Sequence, residues 1–514
     1  MVRWIAIGAA ACAGRDVDRP TDADPDSDSD PCGADPALAV TMSIAAGPLP
    51  STLALAVDTS APATVAVRCV ADLDPTEVHL VEDPVAGTGH ALHLLGLLSD
   101  TAYTCQAAAT CPTTGAPPAS ASFTTGSPPQ PLPVLEVEVD PALGMTGAYT
   151  LGGWERADAV PFRTWLIVWD PQGRPRWAWR LPEGVRVSVE ALLDPPPPGE
   201  AASTTLVWGG GNDSDGAPRI VDLWDGERYA ADLPPWGADY WSHDAKRLDD
   251  GRILSLQYVP NVDRTGLIAF LGFGLRVHDP VTGRLDVELD SQRYVDDGLL
   301  SPGALGSEPY HANWVDRQET ADGPRLYVSL CEVQKILAID EATGDVVWDL
   351  SADAGWTVVD ELGAPLGPEV LPQCAHGLEV DGDDLLVYDN GRDRGQSQAI
   401  RWHVDAATHT LSRVWAWTER GWDLPTLGDL DDLGNDRILV TEAAEGSLDA
   451  PATAFVEVDL ATGAVASRLS MPRGFRHVGY RGERYDGCAL FANTATCPAL
   501  AARATALAPL FAER

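Results

Sequence analysis

The sequence predicts an all-β protein, a six-bladed β-propeller preceded by a small β-sandwich. Two observations carry this reading. A turn built on aspartate recurs six times at intervals of about 54 to 65 residues, a length that suits a four-stranded unit with generous loops. Between the turns run alternating or apolar strings bounded by Gly, Asp, Asn and Pro, with no convincing long amphipathic helix, and that is the pattern of strands.

Residues 1–36 read as a signal segment and an acidic, disordered tether. Arg3 supplies a positive charge, Trp4 to Ala11 a short apolar run, and Cys12 follows small residues, which resembles a bacterial lipoprotein signal with Cys12 as the lipid carrier. Asp16 to Asp30 interleaves Asp with Pro, Ser, Thr and Ala, and such a segment cannot bury enough surface to fold. No later stretch reaches the roughly 18 to 20 apolar residues of a membrane span. The expectation is an exported protein, periplasmic or at the cell surface, with a membrane tether through Cys12. Beyond Cys12 the cysteines are Cys32, Cys69, Cys105, Cys111, Cys331, Cys374, Cys488 and Cys497, an even set that permits full pairing. Cys105 with Cys111 and Cys488 with Cys497 are spaced to close short hairpins, although spacing does not fix connectivity.

Residues 37–126 read as a separate β-sandwich. The order of Leu94-Leu95-Gly96-Leu97, a turn, Thr101-Ala102-Tyr103, a strand, and a terminal Phe123-Thr124-Thr125 resembles a fibronectin type III or immunoglobulin-like module, with Tyr103 as its tyrosine-corner residue. The proline-rich joint Pro128 to Pro133 follows.

Residues 133–514 read as the propeller. Its marker turns start at Asp170, Asp225, Asp279, Asp340, Asp405 and Asp459. Repeated four-stranded sheets around an axis bury their faces against one another, so six markers predict six blades. His243, His311 and His376 each precede a turn and a strand in successive repeats. Equivalent positions on inner strands face one central channel, so the three imidazoles predict a shared site. The net charge of -41 argues against nucleic acid, which needs a basic footprint, and requires any anion site to be locally basic. No Ser-His-Asp signature, phosphate loop, dinucleotide fingerprint or C-x-x-C pair is present, and no cofactor is implied.

His243-Asp244, His311-Ala312-Asn313, the run Ile336 to Trp348, Gln373-Cys374-Ala375-His376 and Tyr388-Asp389-Asn390-Gly391 together resemble the bacterial aryl-sulfate sulfotransferases. The resemblance spans roughly Trp241 to Glu442. It implies transfer of a sulfuryl group from an aryl sulfate to a phenolic acceptor through a sulfated histidine, with no cofactor and no metal. By position it makes His376 the nucleophile, gives His243 and His311 to sulfuryl binding or proton exchange, and gives Asn313 and Thr441 to substrate binding. The family's arginine after the second histidine is Cys331 here, and a thiol cannot offset developing sulfonate charge as a guanidinium does. Arg392, Arg394 and Arg481 are the candidate substitutes, and a Cys331–Cys374 pair is the alternative use of the thiol. Two other classes stay open: a catalytically inactive propeller that binds a ligand or protein at the cell surface, and a metalloenzyme using three imidazoles. The latter lacks close ligand spacing. Donor, acceptor and oligomeric state are not readable from the sequence.

Overall fold

A computed structural model of the chain describes residues 38–110, 117–156, 163–181, 192–193, 205–208, 218–230, 240–248, 250–443, 453–472 and 481–512. The expected signal segment, the tether, Cys12, Cys32 and Cys111 lie outside the described residues.

The first module is built on two long strands that bend at mid-length. The first half of Leu53–Ala71 pairs with Val40–Ala46 and with the end of Asp74–Leu94. Its second half pairs with the start of Asp74–Leu94 and with Ala102–Ala109, which pairs in turn with Ala119–Thr124. Alternation along both halves buries Leu53, Leu55, Val57, Val65 and Val67 in one core, giving a sandwich. Tyr103 is fully buried and its hydroxyl accepts a hydrogen bond from the Leu98 amide at 3.0 Å, as a tyrosine corner requires. Cys105 is joined to Cys69, correcting the expected pairing with Cys111. The two residues stand directly opposite on neighbouring strands, so strand register rather than sequence proximity selects the partner. Cys488–Cys497 forms as expected.

Six sheets follow. Blade 2 is Leu192–Leu193, Thr205–Trp208, Arg219–Asp222 and Gly226–Ala230; blade 3 is Tyr240–Arg247, Ile253–Val262, Ala269–His278 and Leu285–Asp290; blade 4 is Ala312–Thr320, Gly323–Leu330, Lys335–Asp340 and Val346–Leu350. Blade 5 is Ala375–Asp381, Asp384–Asp389, Gln398–Asp405 and Thr410–Trp417, and blade 6 is Asp429–Gly434, Arg437–Glu442, Ala454–Asp459 and Val465–Ser470. Each of the six marker aspartates opens the hairpin between the third strand and the outermost of these four. At five of them the carboxylate accepts backbone amides of the turn, as Asp340 does from Thr343 at 2.8 Å; in blade 2 it is Asp222, three residues before Asp225, that accepts the Trp224 amide at 2.7 Å.

Blade 1 is composite. Tyr149–Arg156, Arg163–Trp169 and Pro175–Arg180 receive their inner strand, Gly482–Tyr485, from the far end of the chain, while Glu136–Val139 adds an outermost strand to blade 6. The ring is thus sealed by strands from both sides of the propeller sequence, which gives blade 1 its inner strand and blade 6 an added outer one. Between blades 6 and 1, Phe455 packs where side chains at Gly152 and Gly482 would stand, joining Trp154, Trp165 and Trp169 in one core.

After Tyr485 the chain leaves the ring and returns to the sandwich. The helix Pro498–Phe511, not anticipated from the sequence, buries Leu507 and Phe511 against Ala66, Leu80 and Ala108. Arg176 of blade 1 is 2% exposed and pairs with Glu77 of the sandwich through both terminal nitrogens, while its Nε donates to Asp170 at 2.7 Å. Burial raises the Glu77 carboxyl, but hydrogen bonds from His79 and Arg176, with the Arg176 charge, outweigh it and hold the group well below the carboxylate range. Phe491 closes the seam against Gly96, whose φ of 75° and lack of a side chain both suit the close approach.

Candidate functional site

The inner strands of blades 3, 4 and 5 share an irregularity. Strand pairing breaks register between Trp241 and Ala245, between Ala312 and Trp314, and between Ala375 and Gly377. His243, Asn313 and His376 occupy the extra positions. A bulge turns a side chain that would pack between blades toward another direction, here the channel. Asn313 therefore holds the place in blade 4 that histidines hold in blades 3 and 5. His311 stands two residues earlier, just ahead of the strand, with φ of 47°.

The three imidazoles meet across these blades. The rings of His243 and His311 lie 4.5 Å apart at 64°. His376 is 2% exposed and feels the charges of His311 and Arg481. Its Nδ1 lies 2.7 Å from Oδ1 of Asn390 and 3.1 Å from the Cys374 carbonyl. Asn390 donates its amide hydrogens to the carbonyls of Leu424 and Leu427, at 2.7 and 2.8 Å, so its oxygen must face the ring. Two acceptors fix the proton on Nδ1 and place the lone pair of His376 on Nε2. Burial, followed by the His311 and Arg481 charges, overrides the Asn390 and Cys374 hydrogen bonds and holds His376 down at about 4. Burial, with the charges of His311, His376 and Arg481, drives His243 well below the ordinary histidine range. His311 is half-buried and its Nδ1 lies 2.9 Å from the Glu308 carboxylate.

Arg481, next to the closing strand, enters the same channel and is fully buried. It donates to Asp244 at 2.8 Å and to the Asn313 carbonyl at 2.9 Å, and Asp244 accepts the Val315 amide with its other oxygen. The guanidinium is therefore held rigidly beside two histidines. Arg392 instead pairs with Glu332, and Arg394 with Asp389. Of the three arginines considered as replacements, Arg481 is the one that shares the histidine pocket.

Cys331 and Cys374 are joined, linking blades 4 and 5 at the pocket. The Cys331 amide donates to the His311 carbonyl at 3.1 Å, and Cys374, with φ of 58°, lies two residues before His376. The cross-link thus ties together the segments bearing two of the histidines. Asn313 is fully buried with both side-chain polar atoms lacking a hydrogen-bond partner. Thr441 sits one strand back, on the second strand of blade 6 opposite Asp429, rather than among the histidines. Sequence reading gave no role to Asn390, Asp244 or Glu308. The adjacency of Asp244 to His243 and the three-residue step from Glu308 to His311 were the available signals.

No family model matches this chain, and no curated protein matches it. Among solved structures, a putative 6-phosphogluconolactonase from Bacteroides fragilis is 11% identical with a TM-score of 0.34, covering 82% of this chain and 98% of that one. A second, from Bacteroides uniformis, is also 11% identical with a TM-score of 0.34, covering 82% of this chain and 99% of that one. A chain of a nidogen/laminin complex is 9% identical with a TM-score of 0.32, covering 65% of this chain and 97% of that one. Likeness this distant carries no inference about activity. The fold stands on the sheets themselves: an all-β ring of six blades, four of them four-stranded and two carrying a fifth strand, beside a β-sandwich, with three disulfides among the described residues and no described helix long and apolar enough to cross a membrane.

Proposed function

We propose that this chain transfers a sulfuryl group from an aryl sulfate to a phenol through a sulfated histidine, with His376 as nucleophile. The observation that carries the proposal is the Asn390–His376 hydrogen bond inside a buried pocket that also holds Arg481. It leaves a neutral imidazole with its lone pair on Nε2, the species that attacks sulfur. In the first step Nε2 forms a bond to sulfur as the S–O bond to the donor phenol breaks, and His311, oriented by Glu308, protonates the departing phenolate. In the second step His311 takes the acceptor's proton, the new phenolate attacks sulfur, and His376 is released. His243 and Asn313 contribute hydrogen bonds to the sulfuryl oxygens. Arg481 supplies the positive charge that the family's arginine would otherwise provide, a contact worth on the order of 3 kcal/mol in the transition state.

Oxidised cysteine pairs suit an exported protein, and on this reading the protein acts in the periplasm or at the cell surface, tethered through Cys12. The disulfide at the arginine position favours a second reading, a catalytically inactive propeller that binds a ligand or protein through the same channel. One assay separates the two. Protein is incubated with an aryl sulfate donor and a phenol acceptor, and the peptide containing His376 is searched by mass spectrometry for added sulfonate. Turnover with an adduct lost in His376→Gln is expected. Folded wild-type protein giving neither turnover nor adduct overturns the catalytic reading.

A further inference from the structure

Beside the histidines, where Asp429 abuts Gly377, the seam where the ring closes gathers carboxylates. Asp429 and Asp431 lie two residues apart on the inner strand of blade 6, and Glu483 lies on the closing strand of blade 1. One oxygen from each comes within 4.8 Å of the others. Asp429 is 3% exposed. Three carboxylates this close repel strongly where water is scarce. The channel cations Arg481 and Lys246 pair with Asp244 at 2.8 Å and with Asp316 at 3.7 Å, and their charges also act on Asp429 and Glu483. Arg484 acts on Asp431 and Glu457.

A second feature points into the same gap. Thr441 stands directly across from Asp429 in an antiparallel pair, so both side chains leave the sheet on one face. Its Oγ1 lies 3.1 Å from the position a side chain would take at Gly482, the residue before Glu483. The hydroxyl thus occupies the space between Asp429 and the closing strand. It is fully buried and has no hydrogen-bond partner. A buried hydroxyl without a partner costs free energy unless something fills the gap.

We propose that Asp429, Asp431, Glu483 and the Thr441 hydroxyl form a binding site for a hard divalent cation of the calcium type at this seam. An all-oxygen donor set with no nitrogen or sulfur suits Ca2+ or Mg2+ and disfavours softer transition metals. Irregular placement on three strands favours Ca2+, because Mg2+ demands near-ideal octahedral geometry. The bound ion joins blade 6 to the strand that completes blade 1, and so fastens the ring and the segment that carries Arg481. The proposal does not depend on sulfuryl transfer.

The test uses the full chain stripped with chelator, titrated calorimetrically with CaCl2 and in parallel with MgCl2, and melted with and without each salt. One Ca2+ site with Kd at or below about 1 mM is expected, with a higher Tm in Ca2+ than in chelator. Asp429→Asn combined with Glu483→Gln should abolish both effects. Thr441→Val keeps the charge and nearly the volume, and should weaken binding about threefold to tenfold, which covers the case in which the double variant fails to fold. Absence of binding heat and of any Tm shift in folded wild-type chain overturns the proposal, as does undiminished binding by the folded double variant. Tighter binding of Mg2+ than Ca2+ overturns the assignment of the ion.

Discussion

Oδ1 of Asn390 lies 2.7 Å from Nδ1 of His376, and the Asn390 amide hydrogens are both committed to backbone carbonyls. An asparagine whose orientation is fixed on one side dictates the tautomer on the other. Replacing Asn390 with Leu removes the acceptor and frees the ring, so the single-turnover rate of histidine sulfation should fall about 100-fold while the fold persists. Asn390→Asp puts a carboxylate there, which favours the protonated ring, and the acid limb of the rate should move to higher pH. Unchanged rates in both variants would remove Asn390 from the chemistry.

The pH dependence follows from the direction of the shift. His376 is held at about 4, below the ordinary histidine value near 6.5, so the ring stays neutral until the pH falls to about 4. With a donor whose phenolate leaves without needing a proton, the limb of the sulfation rate that His376 sets should have its midpoint near pH 4. The folded state binds fewer protons than the unfolded chain in this window, so the contribution to stability is full above about pH 6.5 and is lost as the pH falls through 4. A kinetic midpoint near 6.5 would contradict the burial argument.

Arg481→Met deprives buried Asp244 of its ion-pair partner. Breaking a buried pair from one side costs about 3 to 5 kcal/mol, measurable by urea unfolding. The double variant Arg481→Met with Asp244→Asn removes both charges and should recover much of that stability without recovering sulfation. Recovery of both would show that the guanidinium is structural only.

The Cys331–Cys374 cross-link closes a loop of 43 residues between neighbouring blades. Changing both cysteines to alanine should lower stability by about 2 to 4 kcal/mol. Because the bridge ties the segments of His311 and His376, turnover should fall more steeply than the fraction folded, as read by comparing kcat with circular dichroism at one temperature. Parallel losses would confine the bridge to stability.

Glu77→Ala leaves both terminal nitrogens of buried Arg176 without their carboxylate, with Asp170 still on its Nε. A loss of about 3 to 5 kcal/mol is expected, and calorimetry should show the sandwich melting apart from the ring. A single unshifted transition would mean that the helix Pro498–Phe511 and the Phe491–Gly96 seam hold the two together without it.

Local patterns carried the fold. The aspartate turns were legible because each is closed by its own residues, as Asp340 and Thr343 show, and all six fall at one hairpin of the repeat. The histidines were legible as a set, but their geometry was not: Asn313, not His311, takes the bulge equivalent to His376, since a bulge is fixed by the partner strand. What the sequence concealed is non-local. Gly482 pairs with Gly152, and Ser470 with Glu136, across most of the chain. No spacing rule announces such pairings, and the first brings Arg481 to the site; the Glu77–Arg176 contact is equally remote in sequence. The Cys69–Cys105 bridge was missed for the same reason, since register across two strands selected it.

The composite blade also sets the order of events in biosynthesis. As it is synthesised, the chain cannot complete blade 1 until Gly482–Tyr485 has emerged, more than 300 residues after Tyr149–Arg156. Until then the strand Tyr149–Arg156 presents an unsatisfied edge, and the pocket lacks its arginine. Closure of the ring and arrival of Arg481 beside the histidines are therefore one late step, and a chain that stops short of it would expose that edge to pairing with other chains.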